Sequence, residues 1–148
     1  GLVYLFGAAP FSASFAGVLV MLALMGIAMC SLGMIVAWPM DSTQGFHAIM
    51  MLGLMPMWLL SGSFFPIPAV TGESSWGQVV LGWMMRANPL SYSMAELRRL
   101  LYPAIDLSAS GFAPTPLVCW LVTLAFAIAM TGLAWRLMRG SRRADITV

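Results

Sequence analysis

Forty residues pass before the chain meets its first formal charge, Asp41. A run that long and that apolar has few destinations, because an α-helix of about 20 apolar residues crosses the roughly 30 Å hydrocarbon layer of a bilayer. Residues 14–37 form the first complete stretch of this kind. A second, residues 45–60, has no titratable group except His47, and a third, residues 115–135, is free of charge. Gly26, Gly33, Gly53 and Pro56 fall inside these runs, where membrane helices tolerate them more readily than soluble ones do.

Composition agrees. Apolar residues make up 61% of the chain and charged ones 8%, against about 25% charged in ordinary soluble domains. Too few charges exist to clothe a water-soluble particle of this size. All seven basic residues are Arg, and the small positive balance reflects where they sit rather than an affinity for nucleic acid. Cys30 and Cys119 lie inside apolar runs, which argues against a disulfide framework. The expected fold is all-α, a polytopic transmembrane helical bundle forming a single domain over residues 1–148.

The chain opens on Gly1 without an initiator Met. Its first ten residues are apolar and no basic segment precedes them, so a signal peptide fits poorly. Residues 1–10 read as the end of a truncated span, and the whole as the C-terminal part of a longer protein. Arg136, Arg139, Arg142 and Arg143 follow the last span, and the positive-inside bias puts the tail, residues 136–148, in the cytoplasm. Residues 63–114 then lie outside. Arg86, Arg98 and Arg99 in that segment run against the bias, with Glu73, Glu96 and Asp106 matching them in number. All six Trp fall where interfacial belts are expected, with Trp120 and Trp135 bracketing the last span.

The outer segment carries the most information. Prolines at 66 and 68 break the helix after Ser63, and a polar turn follows at 71–75. Trp76, Val79, Val80, Trp83 and Met84 then recur at helical spacing. Asn88 is placed to cap a second short helix, with Pro89 at its first position. This helix runs to about Tyr102 with an apolar stripe of Leu90, Met94, Leu97 and Leu101. Glu96 and Arg99, three apart, are expected to pair on its surface. Both helices are too short to span and too apolar for a free loop. Before the last span they either lie at the interface or dip into the outer leaflet as a two-helix re-entrant hairpin, the form expected of the fold.

The ordered pieces Leu60-Ser61-Gly62-Ser63-Phe64-Phe65-Pro66, Asn88-Pro89-Leu90-Ser91-Tyr92 and Leu97-Arg98 resemble the C-terminal half of prokaryotic type-2 ABC export permeases, over residues 14–143. The resemblance implies a permease subunit of an ATP-driven exporter in the bacterial plasma membrane, moving an amphiphile such as a drug, a lipid or a glycan precursor. It implies a second permease subunit, in a homo- or heterodimer, and an ABC ATPase subunit or domain that binds ATP and Mg²⁺. The chain itself carries no cofactor, metal or catalytic residue on this reading, and contains no G-x-x-x-x-G-K-[ST] phosphate cradle. The implied outer gate and hairpin comprise Ser61, Gly62, Phe64, Phe65, Pro66, Asn88, Pro89, Tyr92, Glu96, Arg98 and Arg99. Arg98 matches the family's Arg, and Arg99 is an addition.

Other features read as packing. Ser61 and His47 stand fourteen residues apart, about 21 Å along a shared helix, too far for a nucleophile and its base. His47 has no acidic partner within helical reach and is read as a capping or snorkelling residue rather than a proton relay. Met21, Met25 and Met29 stripe one helix beside Cys30, a gap-filling pattern rather than a soft-metal path. The small-residue pairs Ala13/Gly17, Gly26/Cys30 and Ala125/Ala129 are expected to serve packing within the subunit. The rival functional readings are a membrane scaffold without transport activity and an intramembrane enzyme.

Overall fold

The computed structural model describes residues 13–65, 67–68, 74–102 and 111–144. Pro66, the stretch 1–10, most of the polar turn at 71–75 and the end of the tail lie outside them. All regular secondary structure among the described residues is helical, and it includes three helices of spanning length and apolarity. We number five helices: α1 (Ala13–Ala37), α2 (Thr43–Ser63), α3 (Trp76–Ala87), α4 (Pro89–Leu101) and α5 (Pro116–Ala144).

α1 and α5 pack side by side and parallel. Toward the C-terminal end of α1, Ser31 Oγ meets Thr131 Oγ1, midway along α5, at 3.1 Å. Near their N-terminal ends both touch α4, through Leu100 beside Gly17 and Glu96 beside Trp120. The buried stripe of α5 is Cys119, Thr123, Ala127 and Ala134, set against Met21 and Ala28 of α1. Small residues let helix axes approach closely where lipid already solvates apolar side chains. Gly26, Cys30, Ala125 and Ala129 instead lie on exposed surface. Those two expected packing pairs are therefore not used within this chain; of the third, Gly17 packs against Leu100.

α2 departs most from regular geometry. Ser42 caps its start, accepting from the Gly45 N–H at 3.1 Å. Pro56 has no N–H, and its ring clashes with the carbonyl four residues back in an ordinary α-helix. The preceding turn, Met50–Leu54, widens to π geometry, with the Met55 N–H reaching back five residues to Met50 O. A second π turn spans Leu59–Ser63. The helix stops at Gly62, which takes φ +81°, a left-handed value that Gly adopts without steric cost. The terminator is thus Gly62, one turn before the prolines expected to break the helix.

Candidate functional site

α3 and α4 meet at a corner that lies alongside the spans. Asn88 Oδ1 accepts from the Leu90 N–H at 3.0 Å, and Pro89 takes the first position of α4, where no intrahelical N–H bond is needed. At this corner Asn88 Nδ2 donates to Met57 O at 2.5 Å. Met57 precedes the end of α2 by six residues, about 9 Å of helix. Deeper on the other side, Ser93 meets Thr123, seven residues into α5 and about 10 Å past its start. From the corner α4 climbs antiparallel to α5, through Ser93–Thr123, Glu96–Trp120 and Arg99–Pro114.

Widened turns and a left-handed stop leave carbonyls without helical partners, and side chains supply them. Met57 O takes Asn88, Trp58 O takes the Ser61 hydroxyl at 2.6 Å, and Gly62 O takes the Arg98 guanidinium. Arg98 also reaches Ser63 O, at 3.4 Å. The Ser91 hydroxyl lies between Met85 O at 2.5 Å and Leu60 O at 3.4 Å. Having one proton, it serves chiefly the nearer carbonyl and so ties α4 back to α3. Two side chains of the Asn88–Arg98 segment, Asn88 and Arg98, therefore hold the C-terminal end of α2. An unpaired buried carbonyl is costly, more so where lipid excludes water.

A second cluster fastens α4 to α5. Glu96 is 3% exposed. One of its carboxylate oxygens pairs with Arg99, and the other accepts from the Trp120 indole N–H at 3.2 Å. Arg99 also donates to Pro114 O at 2.8 Å. The expected Glu96–Arg99 pair forms, but inside the fold rather than on its surface: the packed side of α4 takes in Ser91, Ser93 and Glu96 together with Leu90 and Ala95. Trp120 correspondingly turns inward to Glu96, whereas the other five Trp are exposed. Thr123 donates to Cys119 O at 2.8 Å, so its partner Ser93 acts as donor to it.

The apolar stripe of α3 points the other way. Trp76 (86% exposed), Val80, Trp83 and Met84 face outward, and only Gly82 and Met85 are buried. Phe64 and Phe65 are also exposed, Phe64 edge-on to Trp58 with ring centroids 4.8 Å apart. Tyr92 stacks edge-on with Phe112 at 5.2 Å. Ser61 is spent on Trp58 O and accepts from Ser63 Oγ at 2.8 Å, far from His47, whose Nδ1 lies 2.8 Å from Thr43 O in its own first turn.

Of the residues singled out in the sequence, the structure gathers Gly62, Asn88, Pro89 and Arg98 at the end of α2, and Glu96 and Arg99 against α5. Pro66 is outside the described residues. Ser91, Ser93, Trp120 and Thr123 complete the arrangement; the sequence offered Ser91 only as part of a motif and Trp120 only as an interfacial residue. Their signal was a polar face on a helix flanked by membrane spans, which has to find partners in protein. Arg86 was likewise passed over; its guanidinium donates to Gly111 O at 3.2 Å and joins the segments on either side of the hairpin.

Neither the curated proteins nor the solved structures provide a match. The family model of the ABC-2 type transporter does, over residues 1–102. That interval holds α1, α2 with its broken C-terminal end and the whole α3–α4 hairpin, and stops short of α5. With its membrane-spanning helices and a hairpin latched to the end of one of them, the chain belongs to the ABC-2 type transporter family, the integral membrane permeases of ABC transporters.

Proposed function

We propose that this chain is the C-terminal half of the permease of an ATP-driven exporter that moves an amphiphilic molecule (a drug, a lipid or a glycan precursor) out across the bacterial plasma membrane. The reading gives it a cytoplasmic C-terminus, following the Arg cluster at 136–143. It pairs the chain with a second permease subunit and with ABC ATPase subunits, which bind ATP and Mg²⁺ and supply the energy. The observation that carries it is the latch of Asn88 and Arg98 on the carbonyls at the end of α2. A loop serving only as a tether has no need of such bonds.

On this reading α3–α4 is a re-entrant gate in the outer leaflet. Its outward apolar face meets lipid, and its polar face is satisfied by α2 and α5. The π turn at Met50–Leu54 and Pro56 give α2 a place to bend, since such defects localise kinks. When the ATPases close, bending there carries the latched hairpin with it and opens a path between permease subunits. Phe64 and Phe65, exposed beside the latch, meet the cargo at the outer end.

The test uses Phe65→Ala in the permease expressed with its ATPase. Its ring is largely exposed, so folding and assembly are expected to be unchanged. Export of a fluorescent amphiphile from energised vesicles is expected to fall several-fold. Normal assembly with undiminished export, in this variant and in Phe64→Ala, would overturn the gate and favour a scaffold.

A further inference from the structure

A groove of about 450 Å³ runs between α1 and α5, away from the hairpin. Leu24 and Ile27 line one wall, and Leu124, Ile128, Thr131 and Trp135 the other. The α5 positions follow a four-three-four spacing, which keeps them on one helix face. From Leu124 to Trp135 is eleven residues, about 16 Å of helix, close to half the roughly 30 Å hydrocarbon thickness. The groove thus has the length of one leaflet.

The next position on the same face is Arg139. Its guanidinium stacks over the Trp135 ring, 4.4 Å from the centroid. Stacking orients a guanidinium while leaving its in-plane N–H donors free, the geometry suited to a phosphate. Arg136 is exposed beside it. Among the described residues the one ion pair is Glu96–Arg99, at the other end of the molecule, so neither Arg136 nor Arg139 has a carboxylate there. An apolar channel one leaflet long, ending in a ring at the interface and two cations, has the chemistry of an amphiphile with an anionic head.

We propose that this groove binds an anionic phospholipid from the leaflet facing the C-terminal end of α5, one acyl chain lying between Leu24 and Ile128 and the phosphate against Arg139. A helix from another protein segment fits less well. Such a helix would cover the Arg139–Trp135 end, and the two cations there call for an occupant that brings negative charge.

The full chain, purified in mild detergent and stripped of lipid, is offered equimolar phosphatidylglycerol and phosphatidylcholine, and bound lipid is read by native mass spectrometry. Phosphatidylglycerol is expected to be retained preferentially. Arg139→Gln should cut that preference by about fivefold, the effect of one Arg near an anionic headgroup, and Arg139→Lys should keep most of it. Ile128→Trp, which fills the groove, should lose both lipids. Raised salt should erase the preference in the unaltered chain, a result that needs no variant to fold. Equal retention of the two lipids, a preference that survives Arg139→Gln, or a dimer broken by Ile128→Trp with lipid unaffected would each overturn the proposal.

Discussion

Arg98 donates to the carbonyl of Gly62, thirty-six residues earlier in the chain and the one residue of α2 with left-handed backbone. The break in a span and the cation that accepts its cost are thus distant in sequence and adjacent in space. Hydrogen bonds to charged groups contribute about 1.5–3 kcal/mol. Arg98→Ala is expected to destabilise the protein by about that amount, seen as a lower melting temperature in detergent. Arg98→Lys should fall between, since one ammonium lacks the fork that reaches both Gly62 O and Ser63 O.

Gly62 should resist substitution in a set order. A left-handed residue with a Cβ costs about 1–2 kcal/mol, and a Cβ here would stand 3.3 Å from Ile67 Cγ1. Gly62→Asn is expected to be milder than Gly62→Ala, because Asn visits this region more readily, and Gly62→Val worst of all. Thermal melting of the three variants checks the order. Equal loss in all three would mean that contact with Ile67, rather than backbone strain, decides.

Removing Arg99 leaves the Glu96 carboxylate buried without its counter-charge. Breaking a buried pair costs about 3–5 kcal/mol, and the lower end applies because the Arg99 side chain is 29% exposed. Arg99→Ala should therefore lower stability by about 3 kcal/mol. Adding Glu96→Gln, which retains an acceptor for Trp120, should recover part of it. A double-mutant cycle measures the coupling.

The polar face of α4 shows what the sequence conceals. The three apolar runs, the break near residue 63 and the Asn88 cap were legible because spanning length, helix termination and capping are local properties. Which face packs was not. On α3 Trp76, Val80 and Trp83 face outward, while on α4 Ser93 and Glu96 are buried against α5 and Leu90 is buried with them. Where lipid solvates apolar side chains, it is polar groups that must seek protein. The small-residue pairs failed for a related reason. Gly26/Cys30 and Cys119/Thr123 have the same spacing, and only the neighbouring helix distinguishes the used from the unused.

Pro56 separates stability from movement. An interior Pro costs a helix about 3 kcal/mol, so Pro56→Ala is expected to raise the melting temperature by restoring a backbone donor. If bending at the adjacent π turn carries the hairpin, transport should fall despite the gain. Spin labels at positions 47 and 60, read by pulsed electron resonance in the presence and absence of nucleotide, report the bend directly. A narrower distance distribution in the variant is the expected result.

The pairing of α4 with α5 also orders events during synthesis. The groups that satisfy Ser93 and Glu96 lie thirty and twenty-four residues downstream. The ribosome therefore delivers a helix bearing a carboxylate and a hydroxyl well before Trp120 and Thr123 exist to receive them. Until α5 is made, Arg99 is the one side-chain partner that the structure gives Glu96 from the part of the chain already synthesised. Arrival of the final helix supplies the indole N–H and the hydroxyl that complete the packed face of α4. A chain truncated ahead of residue 120 would present the quality-control proteases with an unpaired acidic surface.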